Sequence, residues 1–143
     1  MSQWTPKRKP TKAQKKRRGK YRSILEKDVA AAFEKMEIGE VRYEPFLIPY
    51  IVPTERHTYK PDFVPAEDDD VIIEAKGMLT AKDRKKMLLL KEQHPNKRFL
   101  LLFGNARSKI YKGSKTTCAD WAESKGFEWG DFYRSGIPEE WFE

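Results

Sequence analysis

Asp62, Glu74 and Lys76 are the residues whose types and spacing can do chemistry together. They lie in HTYKPDFVPAEDDDVIIEAKG, residues 57–77, which holds six acidic side chains and two lysines. If residues 71–76 form a strand, Ile72, Glu74 and Lys76 share one face and Val71, Ile73 and Ala75 the other. Glu74 and Lys76 then stand about 6–7 Å apart along that face. An acid beside an ammonium is by itself no more than an ion pair. Asp62 shifts the weighting, because a hairpin between its segment and 71–76 brings it alongside Glu74. Two carboxylates converging on one spot repel unless a proton or a cation lies between them. Oxygen-only ligation suits Mg2+ or Mn2+, hard ions that keep several waters and also bind phosphate oxygens. Glu67, Asp68, Asp69 and Asp70 fall in the turn and are expected to face water.

These residues need a frame. Ser23 opens a helical pattern carried by Leu25, Val29, Ala32, Phe33 and Met36 and closing near Gly39. Residues 41–48 nearly alternate and predict a strand, with Pro45 marking an edge or a bulge. Prolines fence residues 49–53 and favour an extended run. Residues 59–64 and 70–76 predict two strands joined by the acidic turn. Thr80 and Asp83 have capping-box spacing and start a helix through Lys91, stopped by Pro95. RFLLLFG at 98–104 is apolar throughout, as a central buried strand is. Ile110 and Tyr111 suggest a further short strand. Thr117 and Asp120 repeat the capping pattern before a helix ending at Gly126, and IPEEWF near the end suits one helical turn opened by Pro138. The order predicts an α/β domain with a mixed central sheet flanked by helices.

A chain of 143 residues fits one domain, able to bury about 68–70% of its unfolded surface. The single Cys118 excludes an intramolecular disulfide and favours a reducing compartment. No apolar run approaches the roughly 18 residues of a membrane span, and the N-terminus has no apolar signal segment. The expectation is a soluble cytoplasmic protein. Its charge is asymmetric: residues 1–22 carry ten Lys and Arg and no acid, leaving nineteen basic and twenty-two acidic residues over 23–143. Such a segment lacks the apolar content to fold alone, so 1–22 reads as a disordered basic arm suited to polyanions, and 23–143 as the folded domain.

The sequence also resembles a known family. P-D-F at 61–63 followed by E-A-K at 74–76 resembles the P-D…(D/E)-x-K core of a large nuclease superfamily. YRSILEKDV (21–29), IPYIVP (48–53), HTYKPDF (57–63), DRKKMLLLKEQHP (83–95) and KIYKGS (109–114) are similar to the bacteriophage endonuclease I family of Holliday-junction-resolving enzymes. The similarity runs from about residue 15 to the C-terminus. It implies a restriction-endonuclease-like core in a segment-exchanged homodimer, with 49–56 as the bridge between subunits. It further implies that Asp62, Glu74 and the main-chain carbonyl of Ala75 bind Mg2+ or Mn2+, with up to two ions per site. Lys76 would orient or activate the attacking water, and Glu26 of the other chain would complete a second metal position. Read from spacing alone, Ser23 to Glu26 fits S-x-x-E, so a capping box is the simpler account of Glu26.

The implied activity is paired phosphodiester hydrolysis in branched double-stranded DNA, in the cytoplasm of an infected bacterial host. A general duplex nuclease and a branched-DNA-binding protein that has lost cleavage are the alternatives. Candidate phosphate contacts are Lys16, Arg17, Arg18, Lys82, Arg84, Lys85, Lys86, Arg107, Lys109, Lys112 and Lys115, each also readable as a solvated surface residue. Trp121, Trp129, Phe132 and Trp141 read as packing rather than base-stacking platforms. His94 suits a helix end, and His57 lies just upstream of Asp62 without reading as a general base. The acidic turn 67–70 is longer and more acidic than the family pattern and would repel DNA if it faced the substrate.

Overall fold

The computed structural model describes residues 11–52 and 54–143. Its elements are α1 (Lys12–Arg18), α2 (Ile24–Glu34), β1 (Val41–Tyr43), β2 (Ile48–Val52), β3 (Glu55–Tyr59), β4 (Phe63–Pro65) and β5 (Val71–Lys76). There follow α3 (Ala81–Gln93), β6 (Arg98–Phe103), α4 (Cys118–Ser124), β7 (Glu128–Asp131), α5 (Phe132–Ser135) and a 3-10 helix (Glu139–Phe142). Five strands form a mixed sheet in the order β1-β4-β5-β6-β7. β5, β6 and β7 run parallel, while β1 and β4 pair antiparallel.

The apolar run on β6 is explained by helices on both sides of the sheet, which leave no solvent face. On one face Ile72, Leu101 and Phe103 pack with Met87 and Leu90 of α3 and with Trp121 and Ala122 of α4. On the other, Ile73, Ala75, Leu100 and Leu102 pack with Val29 and Phe33 of α2. The alternation predicted for 71–76 is thus realised, with Glu74 and Lys76 belonging to the α3 face. Helix starts are set locally: Ser23 caps α2, and Thr80 and Thr117 form reciprocal capping boxes with Asp83 and Asp120. The terminal turn behind Pro138 and the packing of Trp121 and Trp141 in the core also agree with the sequence.

Several boundaries differ. The strand predicted over 41–48 stops at Tyr43, because Glu44 takes a left-handed backbone (φ 47°) that turns the chain out of the edge strand. The strand predicted over 59–64 is broken: Tyr59 ends β3, which pairs with β2 as a separate hairpin, and only Phe63 and Val64 of that span belong to β4. Residues 110–111 form no strand; an isolated bridge between Lys109 and Thr117 stands there instead. β7 and α5 are additional elements. The disorder expected over 1–22 does not extend to residues 12–18, which form α1; its Lys and Arg are good helix formers, and the Lys27 ammonium donates to the Arg17 carbonyl. The disorder expected of residues 1–10 falls outside the described residues. Among the described residues no helix is long and apolar enough to cross a membrane.

Gly130 lets β7 meet the chain end. A Cβ there would lie 2.9 Å from Pro138 Cδ, fixed in its ring, and 3.1 Å from Cδ1 of the fully buried Leu102. Gly130→Ala is expected to cost about 1–3 kcal/mol through overpacking, lowering the melting temperature by roughly 3–10 °C. Thermal unfolding followed by circular dichroism checks this.

Candidate active site

α2 brings the first carboxylate. Ser23 Oγ accepts from the Glu26 amide (3.1 Å) and donates to Glu26 Oε2 (3.0 Å), so the capping geometry is present. Capping does not exhaust the residue. Glu26 is only 7% exposed, and its other oxygen accepts from the Tyr43 hydroxyl at 2.6 Å. Burial, and then the hydrogen bond to Glu26, push the Tyr43 phenol far above its usual range, which keeps it a donor.

The left-handed residue Glu44 brings a second. Its amide donates to the Asp62 carbonyl (3.0 Å). Its carboxylate pairs with Arg22 Nε at 2.8 Å and Lys60 Nζ at 3.8 Å. Carboxylate oxygens of Glu26, Glu44 and Asp62 all lie within 4.8 Å of one another. A non-glycine residue at positive φ costs about 1–3 kcal/mol and persists only where its surroundings hold it; here the Asp62 carbonyl and two cations do.

Asp62 joins through the predicted β4–β5 hairpin, with Phe63 opposite Ile73. Its Oδ2 accepts from the Ala75 amide at 3.0 Å. Burial, then the charges of Glu74 and Glu26, hold the Asp62 carboxyl well above the usual carboxylate range, against the pull of the Ala75 amide and Lys76.

Glu74, 4% exposed, stands beside this group but turns its oxygens elsewhere. Oε2 accepts from the buried Tyr59 hydroxyl, and Oε1 lies 3.1 Å from Lys76 Nζ. Lys76 Nζ is also 3.3 Å from Asp83 Oδ1. Burial alone would lower the Lys76 pKa; Glu74 and Asp83 outweigh it and raise it, so the side chain is an ammonium.

The donors fit a hard divalent cation. They are all oxygen, they are crowded enough that their charges oppose ionisation of Asp62, and a small dication between them would relieve that repulsion. The sequence-predicted Glu26, Asp62, Glu74 and Lys76 therefore share one neighbourhood at the C-terminal end of β5. Glu26 reaches Asp62 of its own chain here, and residues 48–59 double back as the β2–β3 hairpin; Pro53 lies outside the described residues. Glu44, Tyr43, Tyr59, Asp83, Arg22 and Lys60 were not singled out from sequence as site residues. Only Asp83 carried a local signal, and that signal was for a helix cap.

The basic candidates divide. Lys16, Arg17, Lys82, Lys85, Arg107, Lys109, Lys112 and Lys115 are exposed. Arg84 is half-buried: its guanidinium donates to the Leu79 carbonyl (2.7 Å) and the Ile110 carbonyl (3.2 Å), tying the start of α3 to the 105–116 loop. Lys86 lies over the Tyr59 ring, Arg18 donates to the Arg22 carbonyl, and Lys109 donates to the Lys115 carbonyl at 3.2 Å. The acidic turn sits at the N-terminal end of β5, its nearest residue about 20 Å from Lys76 by strand rise. Arg42 pairs with Asp69 there, and Lys97 with Asp70. His94 caps α3 and bonds the Pro49 carbonyl, while His57 pairs with Glu55; neither touches the carboxylates.

Comparison with known proteins adds an independent line. The model of the family described as Phage endonuclease I matches residues 4–143. The chain is 38% identical over 123 residues to Endonuclease I of Escherichia phage T7, covering 86% of this chain and 78% of that protein. It is 41% identical over 111 residues to Endodeoxyribonuclease 1 of Enterobacteria phage T3, covering 78% and 71% respectively.

The crowding around Asp62 has a measurable consequence. A carboxyl with a raised native pKa binds more protons folded than unfolded, so stability falls as pH rises from the ordinary Asp range through the native value. Without metal at neutral pH, Asp62→Asn is expected to melt higher than the wild type, with the advantage vanishing at low pH where both states are protonated. Adding Mg2+ should raise the wild-type melting temperature and leave the variant nearly unmoved. Differential scanning calorimetry across pH reads both effects.

Proposed function

The chain belongs to the phage endonuclease I family and is an endodeoxyribonuclease, and from that premise we propose that it resolves four-way and other branched DNA by metal-dependent phosphodiester hydrolysis. The observation that carries this reading is the meeting of Glu26, Glu44 and Asp62 oxygens within 4.8 Å, beside the Glu74–Lys76 pair. In it, Glu26, Asp62, Glu74 and the main-chain carbonyl of Ala75 would hold one or two Mg2+ ions, with Mn2+ as a substitute. The chemistry such an ion would supply is polarisation of the phosphodiester and a lowered pKa for a water.

The chain's own groups do the remaining work. Lys76, kept cationic by its acidic neighbours, faces the negative charge that develops on the phosphate and orients the attacking water. Tyr43 and Tyr59 fix Glu26 and Glu74 by donating to one oxygen of each, while the other oxygen of Glu26 accepts from Ser23 and that of Glu74 pairs with Lys76. No Ser, Cys or His nucleophile is required. Lys16, Arg17, Arg18, Lys82, Lys85, Lys109, Lys112 and Lys115 supply backbone contacts that set register without reading sequence.

Paired cuts call for paired sites, which a twofold homodimer supplies in one encounter. The 49–56 segment is suited to exchange. Val52 pairs with Glu55, so the β2–β3 connection is two residues long, and Thr54 sits at φ 86°. Short strained hinges favour opening into a bridge that repeats the same contacts between chains. Glu26 of one subunit then meets Asp62 of the other. The setting is the cytoplasm of an infected bacterium.

A labelled four-way junction and a matched linear duplex, each with Mg2+ or with EDTA, test the reading. Symmetric nicking of the junction that needs Mg2+ is expected; equal cutting of both substrates points to a general duplex nuclease, and binding without cutting to a binding protein. Glu74→Gln should lower the cleavage rate on the order of 10²–10³-fold or more while retaining junction binding. Mixing Glu26→Gln with Asp62→Asn protein tests exchange: heterodimers regain one intact site if the site is shared, and regain none if each chain closes its own.

A further inference from the structure

Lys76 has two carboxylate partners, and only Glu74 belongs to the metal-binding reading. The other, Asp83, divides its carboxylate between two tasks. Oδ2 accepts from the Thr80 amide (3.2 Å) and the Thr80 hydroxyl (2.8 Å), closing the capping box that starts α3. Oδ1 lies 3.3 Å from Lys76 Nζ. The side chains of Lys76, Glu74 and Asp83 are 13%, 6% and 17% exposed, so the chain Tyr59–Glu74–Lys76–Asp83 is largely shielded from water.

We propose that Asp83 is a positioning residue for Lys76: it anchors the ammonium to the first turn of α3 and remains its counter-ion when Glu74 turns to a divalent ion. The physical case is one of charge balance. In the present arrangement Glu74 serves Tyr59 and Lys76. Once its charge is shared with a cation, Lys76 has lost most of its anionic partner in a poorly solvated place, where a lone ammonium is costly. Asp83 meets that need without moving, because its other oxygen is locked by Thr80. It also fixes the direction of Nζ, since a flexible lysine stem tethered at one end only would swing about Glu74. Asp83 touches neither metal nor substrate in this account.

The rate measurements rest on the nuclease reading above, whereas the labelling arm does not. Two variants separate positioning from capping. Asp83→Asn keeps an oxygen for the Thr80 amide but removes the charge facing Lys76; Thr80→Ala removes the cap hydroxyl and leaves the carboxylate. Both should melt within a few degrees of the wild type. Single-turnover cleavage at saturating enzyme is expected to fall at least about tenfold in Asp83→Asn, with junction binding within about twofold, and to stay within about threefold in Thr80→Ala. Reductive methylation of Lys76, read by mass spectrometry on metal-free protein, should change in Asp83→Asn and not in Thr80→Ala. Mn2+ titration calorimetry should show weaker binding to Asp83→Asn, where Lys76 competes more strongly for Glu74. Equal losses of rate in the two variants, in step with their melting temperatures, would reduce Asp83 to a cap. Wild-type methylation and Mn2+ affinity in Asp83→Asn would overturn the proposal whatever the substrate; absence of cleavage in the wild type would instead strike the nuclease reading.

Discussion

The close approach of Glu26, Glu44 and Asp62, with Glu74 beside them, is the constraint to which the surrounding structure answers. Two unit negative charges about 4–5 Å apart repel by roughly 3–4 kcal/mol at an effective dielectric of about 20. A domain's whole stability is only about 5–15 kcal/mol, so such a group cannot stand uncompensated. Each acid has its own relief. Tyr43 and Ser23 donate to Glu26, Arg22 and Lys60 flank Glu44, the Ala75 amide serves Asp62, and Tyr59 and Lys76 serve Glu74. The relief is incomplete at Asp62, where burial and neighbouring charge still win. A site that holds residual negative charge in this way is prepared for a cation.

The sheet makes that crowding possible by supplying rigid supports from two directions. α2 lies on the face lined by Ile73 and Ala75 and delivers Glu26; α3 lies on the opposite face and delivers Asp83 to Lys76. β5 runs between them with covered strands on both sides, so the positions of Glu74 and Lys76 depend on the same close packing that buries Leu100, Leu101 and Leu102. Glu26 on a helix and Glu74 on a strand within a dense core hold their geometry better than acids on loops, and they frame Glu44 and Asp62. The acidic turn at the far end of β5 needs no such support and is neutralised by surface pairs, each worth little individually.

The β2–β3 hairpin is a separate layer of the design. Gln93 both donates to and accepts from the main chain of Ile51, which seats the hairpin on the end of α3. Leu47 and Ile51 remain more than half exposed. Thr54, a β-branched residue at positive φ between β2 and β3, stores strain on the stretch of chain that runs from Glu26 to Asp62. In the exchange we propose, that strain is released without loss of the contacts on either side.

Sequence alone determined the parts governed by short-range physics. The strand period separated Glu74 and Lys76 from Ile73 and Ala75, the prolines placed breaks, and Ser23, Thr80 and Thr117 announced their helices through hydrogen bonds spanning three residues. Asp62 beside Glu74 was legible because a hairpin is a local event, and the family resemblance singled out Glu26, which spacing alone assigned to a cap. Glu44 was illegible, since nothing in the string before Pro45 marks a left-handed turn whose support comes from Asp62, Arg22 and Lys60. Arg84 read as a surface cation because its carbonyl partners lie five and twenty-six residues away. Asp83 was correctly read as a cap, but its second oxygen faces Lys76 only after α3 packs across β5. Tertiary structure decided these roles because each depends on which distant group neutralises a charge, and charge neutralisation acts through space rather than along the chain.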